Sequence, residues 1–385
     1  MTLISGEWLR REATQAVCTM LTDAGFQAYF VGGCVRDALM GLTVGDVDIC
    51  TDAHPEKVQT LAEAAGLKAI PTGIEHGTIT VVSGGIAHEV TTFRRDVETD
   101  GRHAVVAFSE SIAEDARRRD FTMNALYADP KGQVLDPLGG MADLQAHRLR
   151  FIEDADLRIR EDYLRILRFF RFHARFGDPQ AGLDPDALSA IAMNAEGLDT
   201  LSAERVGSEM TRLLAVPDPA PAMAAMQRTG ALMHVLPGAE CAALAPLIHV
   251  ERLAGLTPDF VARLAAIGGE DVAERLRLSK KEAGRLALYR AEVGSARGAG
   301  ELGYRHGCDP AQQIVALRIA MLELPFDAAM FSLAGHGAQQ VLPVRAQDLM
   351  PQFQGAALGA ELKAIEQRWI ASDFTLDPAA LLGKH

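Results

Sequence analysis

Two glycines, an arginine and two aspartates carry the most pointed chemistry in this chain. They lie in Tyr29-Phe-Val-Gly-Gly-Cys-Val-Arg-Asp37 and, one short turn later, in Gly45-Asp-Val-Asp-Ile-Cys50. Gly32 and Gly33 let the backbone turn sharply and approach a ligand with no Cβ in the way. Val35 to Met40 reads as a helix, so the pair falls at a helix N-terminus, where free amides and the macrodipole favour an anion. Arg36 adds a fixed positive charge, and a phosphate is the expected occupant. Asp46 and Asp48 flank Val47 in a stretch that reads as a strand, where side chains repeat every two residues and both carboxylates face one way. Two acids held together repel unless a cation lies between them, and hard oxygen ligands suit Mg²⁺. An Asp-x-Asp pair also suits a polar turn; the glycine turn one helix upstream is what argues for the metal.

The elements that must position these groups can be read in order. Glu7 to Ala24 has helical apolar spacing, and Ala28 to Val31 is a short buried strand. Pro55 opens a helix that runs to Gly66, with Pro in the first turn and Gly past the last. Lys68 to Ile70, Thr78 to Ser83 and Ile86 to Thr92 are β-rich, which predicts a small mixed sheet with helices on one face. Glu89, in the last of these, is either an exposed strand acid or a third carboxylate beside Asp46 and Asp48. Residues 94 to 108 are polar, contain Asp100-Gly101 and read as a mobile loop carrying Arg94, Arg95 and Arg102. Ser111 to Leu126 follows as a helix with a Ser111-x-x-Glu114 capping box and Arg117-Arg-Arg-Asp-Phe-Thr-Met-Asn124 at its centre. Arg148 to Ile152 is extended, and Asp136-Pro-Leu-Gly-Gly140 closes the first core.

Ile159 to Phe176 reads as one long helix, with Asp162, Arg165, Arg168, Arg171 and Arg175 along one slowly drifting face and Leu164, Leu167, Phe170 and Ala174 on another. Arginine recurring without lysine favours planar, bidentate recognition of bases or phosphates. From Asp184 onward the chain is helical, with a hinge at Val216-Pro-Asp-Pro-Ala-Pro221. Arg275, Arg277, Lys280, Lys281, Arg285 and Arg290 form a basic cluster that fits either a solvated helix pair or a contact to an RNA backbone.

At 385 residues, 48% apolar and 23% charged, the chain reads as a folded protein of two or more domains. No apolar run reaches membrane-spanning length and Met1 to Trp8 lacks the regions of a signal peptide, so a cytoplasmic protein is expected. The five cysteines are scattered, which disfavours disulfides and structural zinc. The net charge of −13 argues against a generic nucleic-acid binder. Locally the balance reverses: Arg148 to Arg175 holds eight arginines against five acids, a basic groove on an acidic body.

These motifs, in this order, resemble the polymerase-β-type nucleotidyltransferases, specifically the bacterial tRNA CCA-adding enzyme and poly(A) polymerase family. Besides the opening signature, the resemblance rests on Thr72 to Val81, Arg118-Arg119-Asp120-Phe-Thr-x-Asn124, Glu161-Asp162-x-x-Arg165-x-x-Arg168 and the Glu204-Arg205-Val-x-x-Glu209 helix. It is strong from about Phe30 to Leu214 and weak afterwards. It implies an α+β protein: a nucleotidyltransferase head (1–145), a helical nucleotide-recognition neck (146–215) and a helical tRNA-binding body and tail (216–385). It further implies that Gly32, Gly33 and Arg36 seat the triphosphate while Asp46 and Asp48 bind Mg²⁺, with Glu89 as the third acid. Arg119, Asp120 and Asn124 would contact ribose and phosphates. Asp162 and Arg165 would make base-like hydrogen bonds to CTP or ATP, supported by Arg168 and Arg171.

The implied reaction is two-metal transfer of nucleotides to the tRNA 3′ end without a nucleic-acid template. Poly(A) polymerase, CC-adding and A-adding enzymes share the motifs, and the intact 94–108 loop leans away from a CC-only enzyme. A non-catalytic RNA-binding protein on this scaffold is the reading from another class, and the retained acids speak against it. No fused phosphohydrolase pattern and no protein partner are legible, and Ala104 stands where relatives often carry proline.

Overall fold

The computed structural model describes residues 2–100 and 103–383, with backbone alone over 96–100 and 103–106. The chain divides into two compact units, one of Met1–Glu209 with Pro221–Val235, the other of Met210–Ala220 with Leu236–His385. No helix among the described residues is long and apolar enough to cross a membrane.

The first unit begins α1 (Glu7–Arg10), α2 (Glu12–Asp23), β1 (Tyr29–Val31), α3 (Gly33–Leu39), β2 (Asp48–Thr51) and α4 (Pro55–Ala64). It continues β3 (Lys68–Gly73), β4 (Thr78–Ser83), β5 (Ile86–Thr92), β6 (Arg94–Asp100), β7 (His103–Phe108), α5 (Ile112–Arg117), β8 (Tyr127–Ala128) and β9 (Val134–Leu135). Helices α6 (Gly140–Gln145), α7 (Ala155–Glu161), α8 (Leu164–Phe176) and α9 (Pro185–Asn194) follow, then α10 (Ala203–Leu214), whose last turn from Met210 belongs to the second unit, α11 (Ala220–Arg228) and α12 (Ala231–Val235). Seven strands form one sheet in the order β3-β4-β5-β2-β1-β8-β9. All its pairs are antiparallel except β2 with β5, which run parallel and set Asp48 directly across from Glu89. Alternation then sends Phe30, Ile49, Ile79, Val81 and Val90 into full burial, as are Val17 and Leu21 of α2 and Val58 and Ala62 of α4. A second apolar layer gathers Val31, Cys50, Phe93, Ala116, Ala125, Tyr127 and Ile152.

Five expectations are corrected. Residues 94–108 are not a loop: β6 and β7 form a separate antiparallel pair in which Arg94 faces Phe108 and Asp100 faces His103. A backbone ladder needs no apolar alternation, which is why the polar stretch hid it; Arg102 lies outside the described residues. The helix expected over 111–126 ends at Arg117, because Arg118 and Arg119 fold back onto Asp115; only a 3₁₀ turn at Thr122–Asn124 follows. The capping box is not formed either, since Ser109 Oγ takes the Glu114 carboxylate at 2.6 Å and Ser111 makes no side-chain cap. The long helix over 159–176 is broken at Asp162, whose backbone is extended (φ −156°, ψ 105°) while its side chain accepts from the amide of Leu164 at the start of α8. An acid that competes for backbone donors ends one helix and caps the next. Finally, β2 starts at Asp48, so Asp46 sits in a bend before the strand.

The second unit is helical: α13 (Leu244–Ala254), α14 (Phe260–Ile267), α15 (Val272–Arg275), α16 (Lys280–Val293), α17 (Ala299–His306), α18 (Cys308–Met321), α19 (Ala328–Ala338), α20 (Gly355–Ala371) and α21 (Pro378–Leu381). Helices α17 and α19 touch through glycines; a Cβ on Gly303 would lie 1.9 Å from the carbonyl oxygen of Ala334. Arg263 of α14 is fully buried and donates to Glu251 (2.7 Å), to Leu214 O (2.7 Å) and to Val216 O (2.5 Å). It thereby satisfies carbonyls that the end of α10 leaves open. Removing one partner of such a pair strands the other charge, so Arg263→Ala should destabilise this unit by about 3–5 kcal/mol. Urea unfolding followed by circular dichroism measures it, and a loss below about 1 kcal/mol would show the pair to be idle.

Candidate functional site

In the first unit a cleft of about 400 Å³ opens between the β1–α3 turn, the end of α5 and the start of α8. Gly32, Gly33, Arg36, Asp48, Arg118, Arg119, Asp120, Asn124, Asp162, Arg165, Arg168 and Phe172 line it. The glycines at its floor are there for backbone reasons. Gly32 has φ 70° and donates its amide to Leu126 O, and a Cβ on it would sit 3.4 Å from Arg119 Nη1. Any L-residue would be strained there and would press on the arginine.

The arginines do not hang free. Arg36, 6% exposed, donates Nε and Nη2 to Asp37 and Nη1 to Asn124 Oδ1 at 2.6 Å, and stacks on Phe176 with its carbon 4.1 Å from the ring centre. Burial holds its guanidinium below the usual arginine range, partly offset by Asp37. Asn124 in turn donates to Asp120, whose other oxygen accepts from Arg168 Nε at 2.8 Å. Burial pushes the Asp120 carboxyl up, but Arg168 and the hydrogen bonds outweigh it and leave the group below the ordinary carboxylate range. A continuous chain Asp37–Arg36–Asn124–Asp120–Arg168 therefore runs from α3 to α8.

On the opposite side Arg165 donates to Glu161, to Arg158 O and to Arg118 O, and Asp162 accepts from Arg205 of α10 at 2.7 Å. Arg171 is buried, paired with Glu209 at 2.5 Å, and does not line the cleft. Arg205 and Glu209 thus brace α8 from α10. Phe172 offers one ring to three guanidiniums: Arg36, Arg168 and Arg171 stand 5.1, 5.1 and 4.4 Å from its centre.

The acids are arranged differently. Asp48 is half-buried at the cleft wall, while Asp46 and Glu89 are exposed and lie outside the lining. Among the described residues no three acid, histidine or cysteine side chains are gathered closely enough to form a finished metal cluster. Nor does the side chain of any of the three carboxylates accept a hydrogen bond or meet a salt-bridge partner among those residues. Burial, then the charge of Glu89, then that of Asp46 push the Asp48 carboxyl up to about 6 against the pull of Arg119. Oxygen donors whose mutual repulsion nothing neutralises fit a divalent cation.

Of the residues singled out in the sequence, the fold brings ten to one cleft and leaves Asp46, Glu89 and Arg171 beside or behind it. Phe172 and Asp115 were missed. Phe172 was legible only as one more apolar helix residue, and Asp115, fully buried, had no signal beyond its place in a polar first turn.

The glycine turn, Asp48 and the arginines of α8 thus meet in one cleft, an arrangement suited to a nucleotide. Residues 28–150 match the poly A polymerase head domain, and residues 182–242 match the probable RNA and SrmB-binding site of polymerase A. Over those stretches the chain is similar to poly(A) polymerases and tRNA CCA-adding enzymes. It is 43% identical over 224 residues to the CCA-adding enzyme of Geobacillus thermodenitrificans, spanning 58% of this chain and 54% of that one. Against the human mitochondrial CCA tRNA nucleotidyltransferase 1 the identity is 40% over 204 residues, 53% of this chain and 47% of that one. These matches span only about half the length of the curated relatives. Among solved structures, the Bacillus stearothermophilus CCA-adding enzyme in complex with CTP superposes with TM-score 0.70 at 29% identity, covering 94% of this chain and 93% of that one. The Thermotoga maritima CCA-adding enzyme complexed with tRNA shares the fold, with TM-score 0.71 over 100% of this chain and 98% of that one, at 19% identity.

Proposed function

We propose that this chain adds C, C and A to the 3′ end of tRNA from CTP and ATP, using residues 1–145 as the nucleotidyltransferase head, 146–215 as the nucleotide-reading neck and 216–385 as the tRNA-binding body and tail. The observation that carries the proposal is the single cleft in which the Gly32-Gly33 turn, Asp48 and the arginines of α8 meet. The relatives named for CCA addition support the choice of substrates.

In this reading the glycine turn admits the triphosphate against bare backbone, and Arg36, Arg118 and Arg119 neutralise its oxygens. Asp120 and Asn124 face the ribose. Asp162 and Arg165 present an acceptor and donors to the base edge; a carboxylate accepts from an amino group and an arginine donates to a ring acceptor, which separates cytosine and adenine from uracil and guanine. Both groups are anchored by Arg205 and Glu161, so the reading face is prearranged. Arg168 and Arg171 hold α8 in place against Asp120 and Glu209. Asp46 and Asp48, with Glu89 alongside, would hold Mg²⁺, which when bound supplies Lewis-acid stabilisation of the phosphoryl oxygens and an activated 3′-hydroxyl. No covalent protein nucleophile is required, and the cytoplasm is the compartment this reading assigns.

The test is incorporation of labelled CTP and ATP into tRNA transcripts lacking one, two or three terminal nucleotides. Completion of all three to CCA is expected. Long A tracts would mark a poly(A) polymerase, partial completion a CC- or A-adding enzyme, and no incorporation a non-catalytic binder. Arg165→Ala should chiefly blur nucleotide choice, lowering the preference of CTP and ATP over UTP and GTP by about tenfold. A variant with unaltered preference would remove Arg165 from base reading.

A further inference from the structure

The carboxylate of Asp115 is the most heavily engaged acid beside the cleft: it does not line the cleft but holds two of the arginines that do. It is completely buried on α5. One oxygen accepts from Arg118 Nε at 2.8 Å and Nη2 at 2.7 Å; the other accepts from Arg119 Nη2 at 3.0 Å and Nε at 3.3 Å and from the Tyr127 hydroxyl at 2.7 Å. Tyr127 also accepts from Arg119 Nε at 3.1 Å, and its ring lies under the Arg119 guanidinium. Each arginine therefore spends its Nε and Nη2 edge inward. The remaining Nη1 of each has no hydrogen-bond partner among the described residues, and Arg119 Nη1 lies next to Gly32. One buried negative charge held by two guanidiniums leaves one net positive charge, carried by rigid groups at the glycine turn.

We propose that Asp115, with Tyr127, is a positioning residue for the polyphosphate of the incoming nucleotide: it turns the free Nη1 edges of Arg118 and Arg119 toward the β- and γ-phosphates. This rests on the nucleotidyltransferase reading above and deepens it. Without the anchor, both side chains keep their charge but lose their direction, and ordering them falls on each binding event. In that reading the base lies against Asp162 and Arg165, so the effect is confined to ligands that carry the outer phosphates.

The experiment is calorimetric titration of CTP and of CMP into the full chain in magnesium buffer, for wild type, Asp115→Asn and Tyr127→Phe. Asp115→Asn should bind CTP at least tenfold more weakly while CMP affinity stays within twofold; Tyr127→Phe should weaken CTP about threefold with CMP unchanged. CTP affinity within twofold of wild type in Asp115→Asn, or an equal loss for CTP and CMP, overturns the proposal by showing no role or a merely structural one. If Asp115→Asn does not fold, Tyr127→Phe decides, and unchanged CTP binding there overturns it. Wild-type protein that binds neither nucleotide would instead sink the nucleotidyltransferase reading itself.

Discussion

Asp48→Asn should abolish nucleotide incorporation, by at least about a thousandfold in single turnover, and at the same time make the metal-free protein more stable at pH 8. The two effects have one origin. Burial and the neighbouring charges of Glu89 and Asp46 raise the Asp48 carboxyl to about 6 in the folded chain, above its unfolded value of about 4. A raised carboxyl contributes stability that is complete below the unfolded value and is lost as pH rises through the folded one. Above pH 6 the ionised group is therefore a burden of about 3 kcal/mol, which a neutral amide of the same shape removes. Melting curves in chelator from pH 4.5 to 8 measure this: the variant's advantage should grow across pH 4–6 and then level. Persistent incorporation by Asp48→Asn would defeat the assignment of that acid, and a pH-independent difference in melting would defeat the account of its charge.

Asp120→Ala should cost about 3 kcal/mol of stability and about a hundredfold in incorporation. Its carboxylate holds Arg168 and the amide of Asn124, and Asn124 holds Arg36, so one deletion slackens both walls of the cleft. Because the folded Asp120 carboxyl is held below the ordinary range, its contribution is present above the unfolded value and fades as pH falls through the folded one. The wild-type advantage over Asp120→Ala should thus shrink in acid, opposite in sign to the Asp48 effect. Adding Arg168→Met to Asp120→Ala should restore part of the stability, by removing the stranded cation, without restoring activity. Strict additivity of the two substitutions in urea unfolding would show that the pair is not coupled.

Which parts of this site were readable follows from how far each residue's role depends on neighbours in sequence. Gly32, Arg36 and Asp48 act through a local turn and a strand start, so their spacing alone placed them. Arg165 and Arg168 are legible as a helix face, although α8 begins at Leu164 and not at Ile159. What sequence periodicity could not supply was the moment when a side chain defeats the backbone: Asp162 interrupts the helix by capping its successor, and Arg118 and Arg119 end α5 by turning back to Asp115. The bracing of α8 by Arg205 and Glu209 pairs residues 38 and 43 positions apart, a separation at which charge patterning carries no information. The β6–β7 pair was hidden for the converse reason, since backbone hydrogen bonds leave no mark on a polar sequence.

The lone parallel pairing in the sheet has a consequence for how this head can vary. Asp48 and Glu89 are aligned by the β2–β5 ladder itself, and everything between them, α4, β3 and β4, is a detour that leaves along β2 and returns along β5. The exposed Gly84-Gly85 tip of that detour can lengthen or shorten while the two carboxylates keep their alignment, so the outer half of the sheet is free to diverge in shape and to acquire attachments without disturbing the register at its centre.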